Sequence, residues 1–233
     1  MARHQSNVNG KRRSRRLCDA LLAALLLVAL SPLLLVAALG IKLMSRGPVL
    51  YRAQRAGRAN RVFTMYKFRT MHARPNARCS AITAHADPRI FPFGAWLRRL
   101  KVDELPQLFN ILKGEMAFVG PRPEDPRIVA QHYAPEHFET LRVLPGLASP
   151  GSIYNYTHGE KLLVAGNPEQ SYVEHLLPRK LALDLVYVRA ASWRYDARIV
   201  CRTLLTIARM ALGRRDFPDP PEMAQVERHL ATA

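Results

Sequence analysis

The chain has 233 residues, 48% of them hydrophobic, with 35 lysines and arginines against 18 aspartates and glutamates, a formal net charge of +17. That length suffices for one sizeable core with an appendage, and such a cation excess calls for an anionic partner: nucleic acid, an anionic membrane surface or phosphorylated substrates. Three scattered cysteines, Cys18, Cys79 and Cys201, without C-x-x-C spacing, argue against a disulfide framework or a cysteine-ligated metal and for a reducing, cytosolic setting.

Residues 1–14 are polar and basic without periodicity and are expected to be disordered. Ala20 to Ile41, ALLAALLLVALSPLLLVAALGI, is an uncharged apolar segment long enough at helical rise to cross the hydrocarbon core of a bilayer. Both flanks are basic, with Lys11, Arg12, Arg13, Arg15 and Arg16 before it and Lys42, Arg46, Arg52, Arg55 and Arg58 after it. Basic flanks mark the cytoplasmic side, so a full span has to export one of these sets, whereas a re-entrant helix over residues 15–46 exports neither. At mid-segment, Ser31-Pro32 removes one backbone hydrogen bond and bends the chain, and Ser31 can satisfy a freed backbone group. These residues alone leave a kinked span and a re-entrant hairpin level. A secretory signal is disfavoured, because the stretch exceeds an ordinary h-region and a basic region follows.

From Val49, VLYRAQRAG and RVFTMYKFRTM have the aromatic and β-branched content of short strands around a turn at Gly57 to Asn60. On the second, Lys67 and Arg69 share a face and can line an anion site together, or border anionic lipid. His72 to His85 lacks hydrophobic periodicity and is expected to be a loop. Phe93 to Leu100 predicts a short helix, and Leu105 to Leu112 another, with Asp103 near its cap and Pro106 in its first turn. A loop is expected around Gly146 to Gly151, before SIYNY, followed by helices over Pro168 to Leu185, interrupted near Pro178, and Asp196 to Leu212. In the last helix Ile199, Val200, Leu204, Ile207 and Met210 alternate with Arg198, Arg202 and Arg209, the pattern of an interfacial helix or of an ordinary core-facing one. Residues 47–213 are expected to form one cytosolic domain and 214–233 a loosely ordered tail; no internal repeat is present.

The chemistry concentrates in Lys101 to Pro123, KVDELPQLFNILKGEMAFVGPRP. The adjacent carboxylates Asp103 and Glu104 diverge by about a third of a turn if the backbone is helical, so they suit different tasks rather than a proton-sharing pair. A carboxylate can attack phosphorus and divide one transfer into two steps. Simple capping is the bland alternative for both. Arg122, between Pro121 and Pro123, presents a planar donor fork from a stiff backbone and can hold a phosphate bidentately.

This string, with Lys67-Phe68-Arg69-Thr70-Met71 and the Ser-Pro break, resembles the bacterial sugar transferases, the monotopic phosphoglycosyl transferases that move a phosphosugar from a nucleotide sugar onto polyprenyl phosphate. The resemblance covers Arg15 to about Leu212. It implies an α/β fold, mostly helical with short strands, in which a re-entrant membrane helix hairpin precedes a small catalytic domain carrying interfacial amphipathic helices. It also implies a place in the bacterial inner membrane with the catalytic domain on the cytoplasmic face, a UDP-sugar donor, a polyprenyl (undecaprenyl) phosphate acceptor and a role in starting exopolysaccharide, lipopolysaccharide or other glycoconjugate synthesis. By the same resemblance Asp103 is the nucleophile and Glu104 completes the catalytic pair; Arg122, Lys67 and Arg69 belong to phosphate binding, Arg98 falls where the family has an arginine, with Arg99 competing, and Asp184 in LDLVYV is a candidate for organising the site. A diphosphate donor beside a carboxylate calls for a hard cation. Mg2+ fits, with Asp103 as first ligand and Glu104 as second.

One segment departs from the family pattern: where Arg/Lys-Pro-Gly-Ile/Leu-Thr-Gly is usual, this chain has Leu144-Pro145-Gly146-Leu147-Ala148-Ser149-Pro150-Gly151, which puts donor identity in doubt more than reaction type. Tyr154, Asn155, Tyr156 and His158 are candidates for sugar or base contacts. The competing reading, a membrane-tethered nucleic-acid-binding or scaffold protein, finds no zinc spacing, aromatic strand signature or basic zipper. Anionic membrane lipid is the expected partner instead, and a homo-oligomer is compatible with the sequence. The catalytic reading requires Asp103 to reach an open face beside the bilayer.

Overall fold

The computed structural model describes residues 2–72, 87–163 and 167–231. The segment expected as a loop after His72, and Cys79 with it, lies largely outside them. Two helices, α1 (Ala2–Ala29) and α2 (Ser31–Met44), open the chain and meet at a 62° bend. The bend has a local cause. Pro32 has no N–H for the carbonyl four residues earlier, that of Val28, and the Ser31 hydroxyl donates to this carbonyl instead at 2.7 Å. Neither helix alone is long and apolar enough to cross a membrane; the bent pair Ser14–Ala29 and Ser31–Met44 together is. Leu17, Leu21, Leu25 and Val28 on α1 and Leu35, Val36, Leu39 and Leu43 on α2 are exposed apolar side chains at helical spacing.

The expected ribbon forms. β1 (Leu50–Ala56) and β2 (Val62–Phe68) pair antiparallel from Leu50 opposite Phe68 to Ala56 opposite Val62. Met65 and Phe68 lie on opposite faces of β2 and are both buried, so helices cover the ribbon on two sides. On one side α1 and α4 (Gln107–Lys113) enclose Ala23, Ala53, Met65, Leu108 and Ile111. On the other, α2 and α3 (Pro92–Arg99) bury Ala37, Ile41, Phe68, Leu97 and Val102.

A second layer carries the rest. β3 (Ala117–Val119) and β4 (Gly146–Ala148) form a short parallel pair, which the sequence did not signal. Its close approach needs glycine on both sides, because a Cβ on Gly146 would sit 2.1 Å from the Gly120 nitrogen. Around it lie α5 (Pro126–His132), α6 (Pro150–Leu162), α7 (Pro168–Ser171), α8 (Leu177–Ala190), α9 (Trp193–Ala211) and α10 (Met223–Ala231). The segment expected as a loop before SIYNY instead carries β4 and opens helix α6, started by Pro150 at its first position and by the Ser149 side chain accepting from the Ser152 N–H. Near Pro178 the helix is interrupted as expected, by a π turn at Tyr172–Leu176.

The tail differs from expectation too: α10 inserts Met223 and Val226 into the core formed by α5, α6 and α8. On α9 the buried positions are Asp196, Ile199, Thr203 and Thr206, while Trp193, Leu204, Leu205 and, just past its end, Leu212 are exposed. Its apolar residues therefore divide between the core and an outer face. Arg15 fastens α1 to this layer through an ion pair with Asp196, which also accepts from the Tyr187 hydroxyl at 2.8 Å.

Candidate active site

The site begins where α3 ends. Lys101, a non-glycine residue with φ of 57°, turns the chain in the left-handed region, and a 3₁₀ turn at Val102–Glu104 follows. The expected continuous helix from Leu105 is thus replaced by a tight turn and then α4 from Gln107, with Pro106 just ahead of it. What favours charge on Asp103 and Glu104 is accordingly a ring of cations rather than a long helix's dipole.

Glu104 is saturated. Its Oε1 accepts from Arg122 Nη2 at 2.6 Å and Lys67 Nζ at 3.2 Å, and its Oε2 from Arg122 Nη1 at 3.1 Å and the Tyr156 hydroxyl at 3.0 Å. Burial alone would raise this carboxyl; the charges of Arg122, Lys67 and Lys101 outweigh burial and hold it well below the usual range. Asp103 is the opposite case. Only 9% exposed, it has an Oδ1 with no hydrogen-bond partner. Burial, and then the charge on Glu104, push the Asp103 carboxyl up, while Lys67, Lys101 and Arg98 pull it back. Four cations, Lys67, Lys101, Arg98 and Arg122, thus act on two carboxylates, leaving a surplus of two positive charges suited to a diphosphate.

Lys101 was not singled out from sequence. Its ammonium lies 3.7 Å from the centroid of the Tyr156 ring, and burial lowers its pKa to about 8 against the raising effect of Glu104 and Asp103. Tyr156, proposed from sequence only as a sugar or base contact, instead braces Glu104 and Arg122 from α6; burial pushes its hydroxyl well up, so it stays a donor.

The sequence candidates divide in space. Asp103, Glu104, Lys67, Arg98 and Arg122 come together, whereas Arg99 turns away to the Ala211 carbonyl at 2.8 Å. Arg122 does not stand free for a phosphate, because Glu104 occupies its fork. Arg69 is a correction. It does not join Lys67 at an anion site, and its guanidinium donates to the carbonyls of Arg46 at 2.5 Å and Ser45 at 2.7 Å, just past the end of α2. The physical reason is that a helix C-terminus leaves carbonyls without partners, and a buried guanidinium supplies them.

Asp184 organises the surroundings. It accepts from the Gly151 N–H at 3.0 Å and the Arg122 N–H at 3.4 Å, so α8 holds both the start of α6 and the Gly-Pro-Arg-Pro loop. Burial raises its pKa to about 6. A Cβ on Gly151 would meet Asp184 Oδ1 at 2.6 Å, so this anchor explains the glycine in the departing segment. A further buried cluster went unsignalled: Glu124, next after Gly-Pro-Arg-Pro, accepts from Lys180 Nζ and, at 2.5 Å, from the Tyr172 hydroxyl, while Lys180 also donates to Tyr172 at 2.9 Å.

Among the described residues no three His, Cys, Asp or Glu side chains converge on one point. A cation of the magnesium type takes only one or two carboxylates and completes its shell with phosphate oxygens and water. The unpartnered Asp103 Oδ1 fits that demand; Glu104 meets it only on release from Arg122 and Lys67.

Comparison with known proteins gives a consistent result. A family model described as bacterial sugar transferase matches residues 10–210. The chain is 42% identical over 209 residues to an undecaprenyl-phosphate glucose phosphotransferase of Komagataeibacter xylinus, covering 87% of this chain and 37% of that protein. It is 35% identical over 192 residues to a UDP-glucose:undecaprenyl-phosphate glucose-1-phosphate transferase of Caulobacter vibrioides, covering 82% and 68%. With a UDP-N-acetylgalactosamine-undecaprenyl-phosphate N-acetylgalactosaminephosphotransferase of Aeromonas hydrophila it shares 34% over 195 residues, covering 83% and 43%. The chain thus spans little more than a third of the Komagataeibacter protein and about two thirds of the Caulobacter one.

Proposed function

The chain belongs to the bacterial sugar transferase family, and on that premise we propose that it transfers a sugar 1-phosphate from a UDP-sugar to a polyprenyl phosphate in two steps through Asp103. One observation carries this reading: Asp103 Oδ1 is a carboxylate oxygen without a partner, enclosed by cations that leave its neighbour Glu104 fully bonded. First, a carboxylate oxygen of Asp103 attacks the β-phosphorus of the donor; the bond from that phosphorus to the bridging oxygen breaks, and UMP leaves with the oxygen. Second, an oxygen of the polyprenyl phosphate attacks the same phosphorus, the acyl-phosphate bond breaks, and the Asp103 carboxylate is restored.

The neighbouring residues take supporting roles. Lys67, Lys101 and Arg98 favour the ionised form of Asp103 and oppose part of the rise that burial and Glu104 impose. Arg122 accepts a phosphate only by giving up part of its fork on Glu104, so the two residues act as a coupled pair. A magnesium ion, when held by Asp103, supplies neutralising charge to the diphosphate.

The same reading assigns α1 and α2 to a re-entrant segment in the cytoplasmic leaflet, with the catalytic domain on that face of the bacterial inner membrane. Support comes from the Ser31-Pro32 bend, the basic flanks and the exposed apolar rows. Engineered cysteines on both flanks should be labelled from the cytoplasmic side; external labelling of one flank only would establish a full span. Relatives named for glucose and for N-acetylgalactosamine leave the sugar to a panel of UDP-sugars, with UMP release followed in the presence of polyprenyl phosphate. No UMP release from any donor by protein in intact membranes would overturn the assignment.

A further inference from the structure

Two amides on α4 make an informative contrast. Asn110 and Gln107 are both fully buried. Asn110 is completely bonded: its Oδ1 accepts from the Tyr66 N–H at 3.0 Å, and its Nδ2 donates to the Thr64 carbonyl and to Glu115 Oε2, each at 2.7 Å. Gln107 has no partner at either Oε1 or Nε2. Leaving buried polar groups unmet is costly, so an empty-handed amide calls for an occupant.

Its position indicates which one. Gln107 lies one turn before Asn110, which is fixed to β2 at Thr64 and Tyr66, and one turn after Asp103 and Glu104, where Lys67 of the same strand bonds Glu104. It is therefore the first residue of α4 after the turn that carries the carboxylates. Among the described side chains, four buried atoms lack partners, and three are Asp103 Oδ1, Gln107 Oε1 and Gln107 Nε2; the fourth is Arg69 Nε. Two acceptors and one donor would suit a divalent cation and a phosphate oxygen together, the oxygens serving the cation or its water and the amide N–H the phosphate.

We propose that Gln107 is a further binding residue of this site, its Oε1 serving the cation beside Asp103 and its Nε2 donating to a phosphate oxygen of the donor's diphosphate. The proposal rests on the nucleotide-sugar reading above. The test uses the full chain in lipid nanodiscs, with Mn2+ as the cation and UDP as the diphosphate. Mn2+ binding is read by paramagnetic resonance, UDP binding by calorimetry and folding by thermal unfolding. Gln107→Met should weaken UDP binding in the presence of Mn2+ about tenfold, as expected for one lost charge-assisted contact. The unfolding temperature should hold or rise, because two unmet polar groups give way to an apolar chain of similar length. Gln107→Glu keeps an acceptor and loses the donor, so it should retain Mn2+ while losing UDP affinity, a separation that a purely structural amide would not produce. If both variants bind Mn2+ and UDP as the unaltered protein does, the amide holds only a buried water and the proposal is wrong. If the unaltered protein binds neither probe, the nucleotide-sugar reading fails with it.

Discussion

Lys180→Met should cost the fold about 3–5 kcal/mol, the usual penalty for leaving one member of a buried ion pair uncompensated. The pair is enclosed, with side-chain exposures of 3% for Lys180 and 7% for Glu124, so solvent screening does not reduce the figure. After the substitution Glu124 keeps only the Tyr172 hydroxyl and the Asp125 N–H. The pH dependence follows from linkage. Burial alone would raise Glu124 above its ordinary 4.5, but Lys180 and Tyr172 hold it below. Its contribution is therefore present above pH 4.5 and lost as the pH falls through the depressed value. Without Lys180 burial prevails and the carboxyl rises above 4.5, so the variant's deficit should shrink as acid neutralises Glu124. Denaturant unfolding in nanodiscs, followed through Trp96 and Trp193, measures both effects, and pairing Lys180→Met with Glu124→Gln should recover most of the loss. A deficit under about 1 kcal/mol at neutral pH, or one that does not narrow in acid, would refute the reasoning.

Three further outcomes follow from the site. Tyr156→Phe removes one donor to the charged Glu104 and should cost about 1.5–3 kcal/mol of stability, with slower transfer; an unchanged unfolding curve would contradict the brace. Transfer rate against pH should fall on the alkaline side near 8, as Lys101 loses its charge, and on the acid side above the ordinary carboxylate value, because burial raises Asp103; Lys101→Arg should remove the alkaline fall, and a fall that persists near 8 would assign it to another group. Arg69→Ala strips the Ser45 and Arg46 carbonyls of their donor and should destabilise by about 2–3 kcal/mol while leaving nucleotide affinity intact; a selective loss of affinity would return Arg69 to the phosphate site.

The ribbon, the Ser31-Pro32 bend and the Asp103-Glu104 pair were legible because each is a local signal: β-branched and aromatic runs around a turn, a proline within an apolar helix, and a motif beside a rigid loop. What escaped depends on distant contacts. Ser149-Pro150 reads as a loop from composition, yet it caps and starts α6, because Asp184 of α8 receives the Gly151 N–H. Lys67 and Arg69 share a strand face by parity, but β2 ends at Phe68 and the open carbonyls at the end of α2 claim Arg69. Lys180 and Asp184 did leave a trace, since both fall on the face of α8 that carries Leu177 and Leu181, an improbable place for charges without partners. Those partners, Glu124 and the Arg122 loop, lie some 60 residues away in sequence, beyond any periodic pattern.

The most direct measurement is covalent. Protein incubated with a UDP-sugar labelled in its β-phosphate, without acceptor, should take up the label as a hydroxylamine-sensitive acyl phosphate, release UMP in equal amount, and pass the label to polyprenyl phosphate when that is added. Asp103→Asn should do none of these. A preparation that transfers phosphosugar to the lipid at full rate while never carrying label itself, or an Asp103→Asn variant with undiminished transfer, would contradict an account built on that one unpartnered oxygen.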